Sequence, residues 1–340
     1  MGAFVQKVRA AAWLAVVVAA ASTKAAGAAD MAVKAPPPAV LAPVDWTEFN
    51  AGDQAGYAAG SSASTASALA GGLSADQQSK AYTLFNPTPE NLMRELMTDR
   101  PDNTESPFTV DPGHLQFETT LFGYARSYPD ADGNVTDSEE LGTTNVRLGL
   151  TNSSEVNAIW QPYGMVQTHA PDPANSMRQS GIGGLEIRAK INLWGNDTFE
   201  TPGATALGLL PYISLPTARG NGVSPDAVEG GFILPYAIKL TEKFDLGLNA
   251  GIEAVHNDDT SGYRPEYLAS ASLGQDWTEK LSGYYEFFGQ FNTPRGNAAI
   301  LATGLTYQVT KNLQFDTGIN FGVTNAADRF NPFVGVSSRF

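Results

Sequence analysis

Cysteine is absent from the chain, so neither disulfides nor thiol chemistry operates in it, although export to an oxidising compartment stays open. Histidine is scarce as well. The three copies sit in "GHLQ", "THAPD" and "VHNDD", none paired with a nucleophile at a useful spacing, so no enzyme activity is expected. His114 and Glu118 do fall on one strand face, but two ligands do not make a metal site. Charged residues make up only 16 %, too few for a set of soluble helices with charged outer faces. Beyond the amino terminus no apolar run approaches the ~18 residues of a spanning helix. The charge that is present is acidic, net −14, which repels nucleic acid and excludes it as a partner. "GIGGLE" and "ARGNGVS" are rich in glycine but open no helix whose terminus could hold a phosphate, so no cofactor is expected.

What is plentiful is glycine, 34 residues, and aromatics at 10 %, a mix suited to strands and turns. At the amino terminus Lys7 and Arg9 precede the apolar run Ala10 to Ala21, and "AAGAAD" supplies small residues for cleavage. This predicts a secretory signal peptide over residues 1–28. Residues 29–85, with "KAPPPAVLAP" and "AAGSSASTASALAGG", have little to bury and read as a flexible linker. Residues 86–112 form a lead-in. Within it "NPTPENLMRELM" predicts a short helix, started by Pro89, with Leu92, Met93 and Leu96 on one face.

From residue 113 the pattern has period two, as a strand with one apolar and one polar face requires. In "GLEIRAKINLW", Leu185, Ile187, Ala189, Ile191 and Leu193 alternate with Glu186, Arg188, Lys190 and Asn192. Twelve such segments are expected, at 113–126, 140–151, 155–168, 182–194, 205–216, 229–241, 244–256, 264–277, 281–292, 297–309, 313–324 and 331–340. Each approaches or exceeds the ~9–11 residues that cross a bilayer when tilted. "LTNSSEV", "LTEKFDL", "WTEKLSG" and "VTKNLQF" are short turns at one end, whereas "SYPDADGNVTDSEE", "HAPDPANSMRQS" and "PTARGNGVSPDAVE" are long polar loops at the other. That asymmetry belongs to an antiparallel outer-membrane β-barrel, here covering 113–340, with both termini periplasmic. A soluble β-sandwich would alternate too. Against it stand small or polar residues such as Gly251, Gln290, Gly318 and Asn320 on the non-apolar face, and Trp160, Trp194, Tyr236, Trp277, Tyr307 and Phe333 placed as interfacial girdles.

The carboxy-terminal "NPFVGVSSRF" puts Pro332, Val334, Val336 and Phe340 in one register. It reads as the strand that closes the barrel against the first, because an open edge in hydrocarbon would leave backbone groups unpaired at several kcal/mol each. Phe340 also resembles the terminal signature by which the barrel-assembly machinery recognises its clients.

"LMTDRPDNTESPFTVDPGHLQFET" carries a more specific resemblance. Asp99–Asp102, Thr104–Pro107 and Gly113–Glu118 are similar to the MetA-pathway phenol-degradation family of outer-membrane transporters, and "LGLLPYISLPTARG" and "GGFILPYAIKLTEKFDLGLNAGIE" resemble its later hairpins. The resemblance covers roughly 98–340. Asn103 stands where an aromatic residue is expected. The resemblance implies a barrel that passes small, including aromatic, compounds, and no catalytic residues.

The alternation turns Glu118, Arg147, Glu186, Arg188, Lys190, Glu253, Glu286, Gln290 and Asp316 towards the lumen, with Tyr284 and Phe288 nearby. These residues either line a solute path, where their charges orient dipolar solutes, or pair across a filled interior. A partly filled interior is expected because twelve strands make a narrow barrel. In the first long loop Asp130, Asp132 and Glu139 follow part of a calcium-loop spacing, though Tyr128 takes its first position; the alternative is a solvated Asp-Gly hairpin tip. The expectation is a passive channel for small solutes, set in outer-membrane lipid and lipopolysaccharide. The alternative is a closed structural or surface-interaction barrel whose outer loops bind ligands or ions.

Overall fold

The computed structural model describes residues 81–257 and 262–340. The expected signal peptide, and the linker as far as residue 80, lie outside the described residues. One antiparallel sheet contains β1 (Leu115–Ser127), β2 (Val135–Thr151), β3 (Ser154–Trp160), β4 (Tyr163–His169), β5 (Met177–Gly181), β6 (Leu185–Trp194), β7 (Thr205–Leu215), β8 (Glu229–Lys239), β9 (Phe244–Asn257), β10 (Gly262–Asp276), β11 (Leu281–Thr293), β12 (Gly296–Thr310), β13 (Leu313–Gly322) and β14 (Asp328–Arg339). β3 and β4 lie end to end along β2, and β6 and β5 lie end to end along them. Each of these two pairs is one interrupted wall strand, so the wall has the expected twelve strands.

β1 pairs with β2 on one side and with β14 on the other, which closes the barrel. The closing ladder runs from Gln116 opposite Arg339 to Ser127 opposite Asp328. Leu115 and Phe340 exchange backbone bonds of 3.2 and 2.8 Å at its end. This seam pairs the two edges that hydrocarbon would otherwise leave open, while β5, at the long-loop end, pairs with β4 on one side and with no strand on the other among the described residues. Phe340 stays 73 % exposed with its ring edge-on to Phe117 at 5.8 Å.

The outer surface carries exposed Leu121, Ile187, Ile191, Phe232, Phe287, Leu301, Phe321 and Val334, whereas Gln116, Glu118, Arg147, Lys190, Glu286 and Asp316 are buried inside. This inverts a soluble barrel. Trp160, Trp194, Trp277 and Tyr307 are exposed outside, as girdle residues should be. Phe333 is a correction: it shares the inward face of Gly335, Ser337 and Arg339, and the Arg100 guanidinium lies 5.4 Å from its ring centre.

The helix expected after Pro89 is also corrected. Residues 89–92 make one turn, closed by Leu92 N–H to the Pro89 carbonyl at 2.8 Å, and the chain then runs extended. Its backbone groups find partners on the wall instead: Arg339 donates to the Arg94 carbonyl at 2.9 Å and Gln116 to that of Met97 at 2.9 Å. Leu96 is buried while Leu92 is exposed, so no apolar helix face forms.

Leu301→Arg places a charge on the lipid face near the middle of β12. The expected loss is about 2–4 kcal/mol, the range for arginine near the bilayer midplane, read from denaturant unfolding of the refolded protein in vesicles. An unchanged midpoint would remove that face from the lipid.

Candidate functional site

The residues before β1 do not stay outside the barrel. From Arg94 the chain enters the bore at the end that carries the short turns, reaches its innermost point near Asn103 and Thr104, and returns along β2 and β3 to leave at Asp111. The span 94–111 is therefore a plug, and the motif Asp99–Pro107 is its inner turn. Asn103 caps the wall residue Glu286 with its backbone N–H at 3.0 Å and its side-chain amide at 2.8 Å. Thr104 donates to the same carboxylate at 2.6 Å. This buried carboxylate takes three donors where an aromatic residue at position 103 would offer only its backbone.

Arg147 is the centre of the seam between plug and wall. Its fully buried guanidinium donates to Glu155 at 2.9 and 3.1 Å and to Glu118 at 2.7 Å. It also faces Asp99 of the plug at 3.2 Å and donates to the Met97 and Phe108 carbonyls at 3.3 and 2.9 Å. Lys190, equally buried, pairs with Asp99. Three carboxylates against two cations leave one negative charge, which backbone donors offset: Val110 N–H to Glu155 at 2.6 Å and Asp99 N–H to Glu118 at 3.0 Å.

Further around the bore Arg100 grips Asp316 through two bonds of 2.7 and 3.2 Å and donates to Thr120 at 2.5 Å. It lies flat on Gly335, where a Cβ would come within 2.1 Å of the guanidinium. The returning arm presses as closely on Gly149, where a Cβ would stand 2.2 Å from the Asp111 carbonyl oxygen. At the short-turn mouth Arg94 and Arg339 share Asp111 at 2.9 and 3.0 Å. Phe108 packs on Phe199 of the 195–204 connection at 4.9 Å.

The eleven lumen candidates thus divide. Glu118, Arg147, Lys190, Glu286 and Asp316 pair with plug and wall in a filled half. Tyr284 is buried there too, its hydroxyl over Gly318 and its ring against Gly304, both positions where a Cβ would collide with it. Towards the long-loop end Arg188 pairs with both Glu186 and Glu105, the farthest plug contact on that side, and lies 5.8 Å from the Tyr212 ring centre. Glu253, Phe288 and Gln290 also face inward, towards the long-loop end. Sequence reasoning missed Asp99, Arg100, Asn103 and Glu105 as site residues, although they sit inside the motif that it singled out, and it missed Glu155 on β3.

Asp130, Asp132 and Glu139 do not assemble. Among the described residues no group of three or more potential ligands is arranged to hold a metal. The Asp130 carboxylate accepts from the Asp132 and Asn134 backbone amides and the Asn134 side chain, each at 2.9 Å. The Asn134 bonds hold its carboxyl below the usual range. Glu139 lies in β2 opposite Tyr124 and Met165. The solvated hairpin tip fits this geometry, with Gly133 at φ 81° completing the turn. The histidines do structural work: His114 lies 3.0 and 2.7 Å from the Phe340 and Thr88 carbonyl oxygens, and His169 lies 3.0 Å from Asp137.

An apolar outer belt, a polar bore and the β1–β14 seam that closes the wall define an outer-membrane β-barrel. The family model described as "Putative MetA-pathway of phenol degradation" matches residues 98–340, and the chain belongs to that family. The COG4313 outer membrane channel from Pseudomonas putida F1 shares the fold, at TM-score 0.55 and 13 % identity over 72 % of this chain and 100 % of that one. Weaker likenesses include the KdgM porin, at TM-score 0.40 and 11 % identity over 67 % of this chain and 99 % of that one. The Ralstonia pickettii toluene transporter TbuX follows at 0.37 and 8 %, over 66 % and 89 %. No curated protein matches the chain.

Arg147→Met leaves Glu118, Glu155 and two plug carbonyls without their buried partner. The expected destabilisation of the seated plug is about 3–5 kcal/mol, seen as trypsin cleavage at Arg94 in a barrel that still shows the gel shift of a folded one. Equal protection in variant and parent would assign the plug's hold to other contacts. Calcium should leave proteolysis of the 128–139 hairpin unchanged, since donors from the chain already fill the Asp130 carboxylate.

Proposed function

We propose that the protein is a passive outer-membrane channel for small apolar solutes, aromatic ones included, whose bore is closed towards the periplasm by its own residues 94–111. The observation that carries this reading is the division of the bore. One half is filled by a polar plug, whose farthest contact towards the long loops is Glu105 on Arg188, and the inward-facing Glu186 and Glu253 lie on the far side of that contact. In this reading the short turns and both ends of the mature chain are periplasmic, residues 1–28 are a cleaved export signal, and 29–85 is a linker in the periplasm. Lipid and lipopolysaccharide surround the wall, and Phe340, exposed at the end of the closing strand, is the mark read by the assembly machinery.

The fold shared with an outer membrane channel supports transport, and the phenol in the family's description agrees with a small aromatic cargo. The dense ion pairing around Arg147 favours a second reading, a permanently shut barrel that works through its outer loops. Planar-bilayer current separates the two. Protein beginning at Gly113, without the plug, should show larger steps than the full chain. Equal or absent current from both, at equal folded yield, would favour the shut barrel.

A further inference from the structure

Before the chain enters the bore at Arg94 it runs as a strap, residues 81–93, along the short-turn rim of the wall. The end of the expected linker is seated here. Thr83 is bridged to Thr151 at the foot of β2, and the Leu84 N–H donates to the Leu150 carbonyl at 2.8 Å. The Thr88 N–H donates to the Pro112 carbonyl at 3.0 Å, and His114 Nε2 lies 2.7 Å from the Thr88 carbonyl oxygen. Pro87 presses on Gly113, which is left-handed at φ 78° and whose Cβ would come within 2.7 Å of the proline ring. The strap is thus fixed to the wall at three points, and its one tight turn is held with it.

That turn is closed by Thr83 and Asn86, which exchange two backbone bonds of 3.0 Å. Turns with two residues at the tip are ordinarily made by Gly, Asn and Asp, which suit both the backbone and water. Here the tip is Leu84 and Phe85. Phe85 is 94 % exposed, more than any other large apolar side chain among the described residues, and no charged residue stands between Lys80 and Glu90. Single exposed apolar residues are common, so what decides is where this one lies. The bridge of Thr83 to Thr151 is antiparallel, which sets Leu84 opposite Leu150, and residues opposite one another in a ladder share a face. Leu150 has the parity of Leu148, which pairs with Leu115 of β1, and Leu115 and Phe340 are exposed on the lipid side. On β6 the exposed Leu193 and Trp194 carry the same belt to the same rim. The lipid face of the wall therefore continues onto the strap.

We infer that the turn 83–86 is a membrane-interface anchor, which inserts Leu84 and Phe85 into the phospholipid leaflet at the short-turn rim and holds there the strap from which the plug begins. An aromatic ring beside an aliphatic one, on a segment without charge, suits the boundary between headgroups and acyl chains. The anchor requires only the lipid face of the wall, and whether the bore conducts does not enter. With the orientation proposed above, the leaflet is the periplasmic one.

The natural absence of cysteine gives a single labelling site. Phe85→Cys carrying a nitroxide, in the mature chain refolded into vesicles of phosphatidylethanolamine and phosphatidylglycerol, should collide more often with oxygen, which concentrates in lipid, than with a water-soluble nickel chelate. A label at Leu115→Cys, on the lipid face, should behave in the same way. The ratio of oxygen to nickel collisions should fall several-fold at Asn91→Cys, exposed on the strap beyond the turn. Equal ratios at 85 and 91 would put the turn in water, and protection from both relaxants would mean that protein covers it; either result overturns the anchor. Should the labelled variants fail to fold, parent protein decides. A phospholipid with a photoreactive group high in its acyl chain should mark the tryptic peptide 81–94 at Leu84 or Phe85, and marking confined to peptides of the wall contradicts insertion.

Discussion

The Arg147 guanidinium is the contact on which the rest of the molecule depends. It is fully buried, and an isolated charge in that position would carry a desolvation penalty of several kcal/mol. Every one of its nitrogens has a partner, Glu155 along one edge and Glu118 along the other, with two carbonyls that belong to the plug. The wall alone cannot satisfy this group. The plug is therefore part of how the barrel interior reaches its energy minimum: β2 brings Arg147, β1 brings Glu118, β3 brings Glu155, and residues 97–108 complete the set.

That constraint explains why the bore is so polar for a protein whose proposed cargo is not. Buried polar groups persist where each has a partner, and an extended segment such as 94–111 exposes backbone donors and acceptors along its whole length. Glu118, Glu155 and Glu286 cap its N–H groups, while Arg147, Asn192 and Arg339 cap its carbonyls. The wall is complementary to a peptide. Glycine completes the fit at Gly149 and Gly335, where plug atoms occupy the space of a side chain.

This division also sets what could be read without a structure. Period-two alternation places residues such as Ile187 and Arg188 on opposite sides of a wall whatever surrounds it, so strands, closure and the lipid face were legible. The plug was not, because "DRPDNTESP" has no period and its geometry is dictated by the bore; its resemblance to a known family marked it as special without locating it. Phe333 was misplaced because an aromatic near a strand end reads as a girdle residue, yet parity with Arg339 turns it inward. The interrupted strands did leave a trace. A proline in "QPYG" and the glycines of "GIGGLE" are what a broken ladder requires, but the first was passed over inside a strand and the second weighed only as a phosphate loop.

Whether a solute could unseat the plug follows from chemistry. A ligand displaces a conformational equilibrium only by its differential affinity for the two states. An apolar ring offers nothing to Asp99, Arg100 or Glu105 once they leave their partners, so it cannot drive the plug out, and each buried ion pair left half-made costs about 3–5 kcal/mol. The electrostatics that hold the plug seated therefore seal its half of the bore against a solute with no charge to trade.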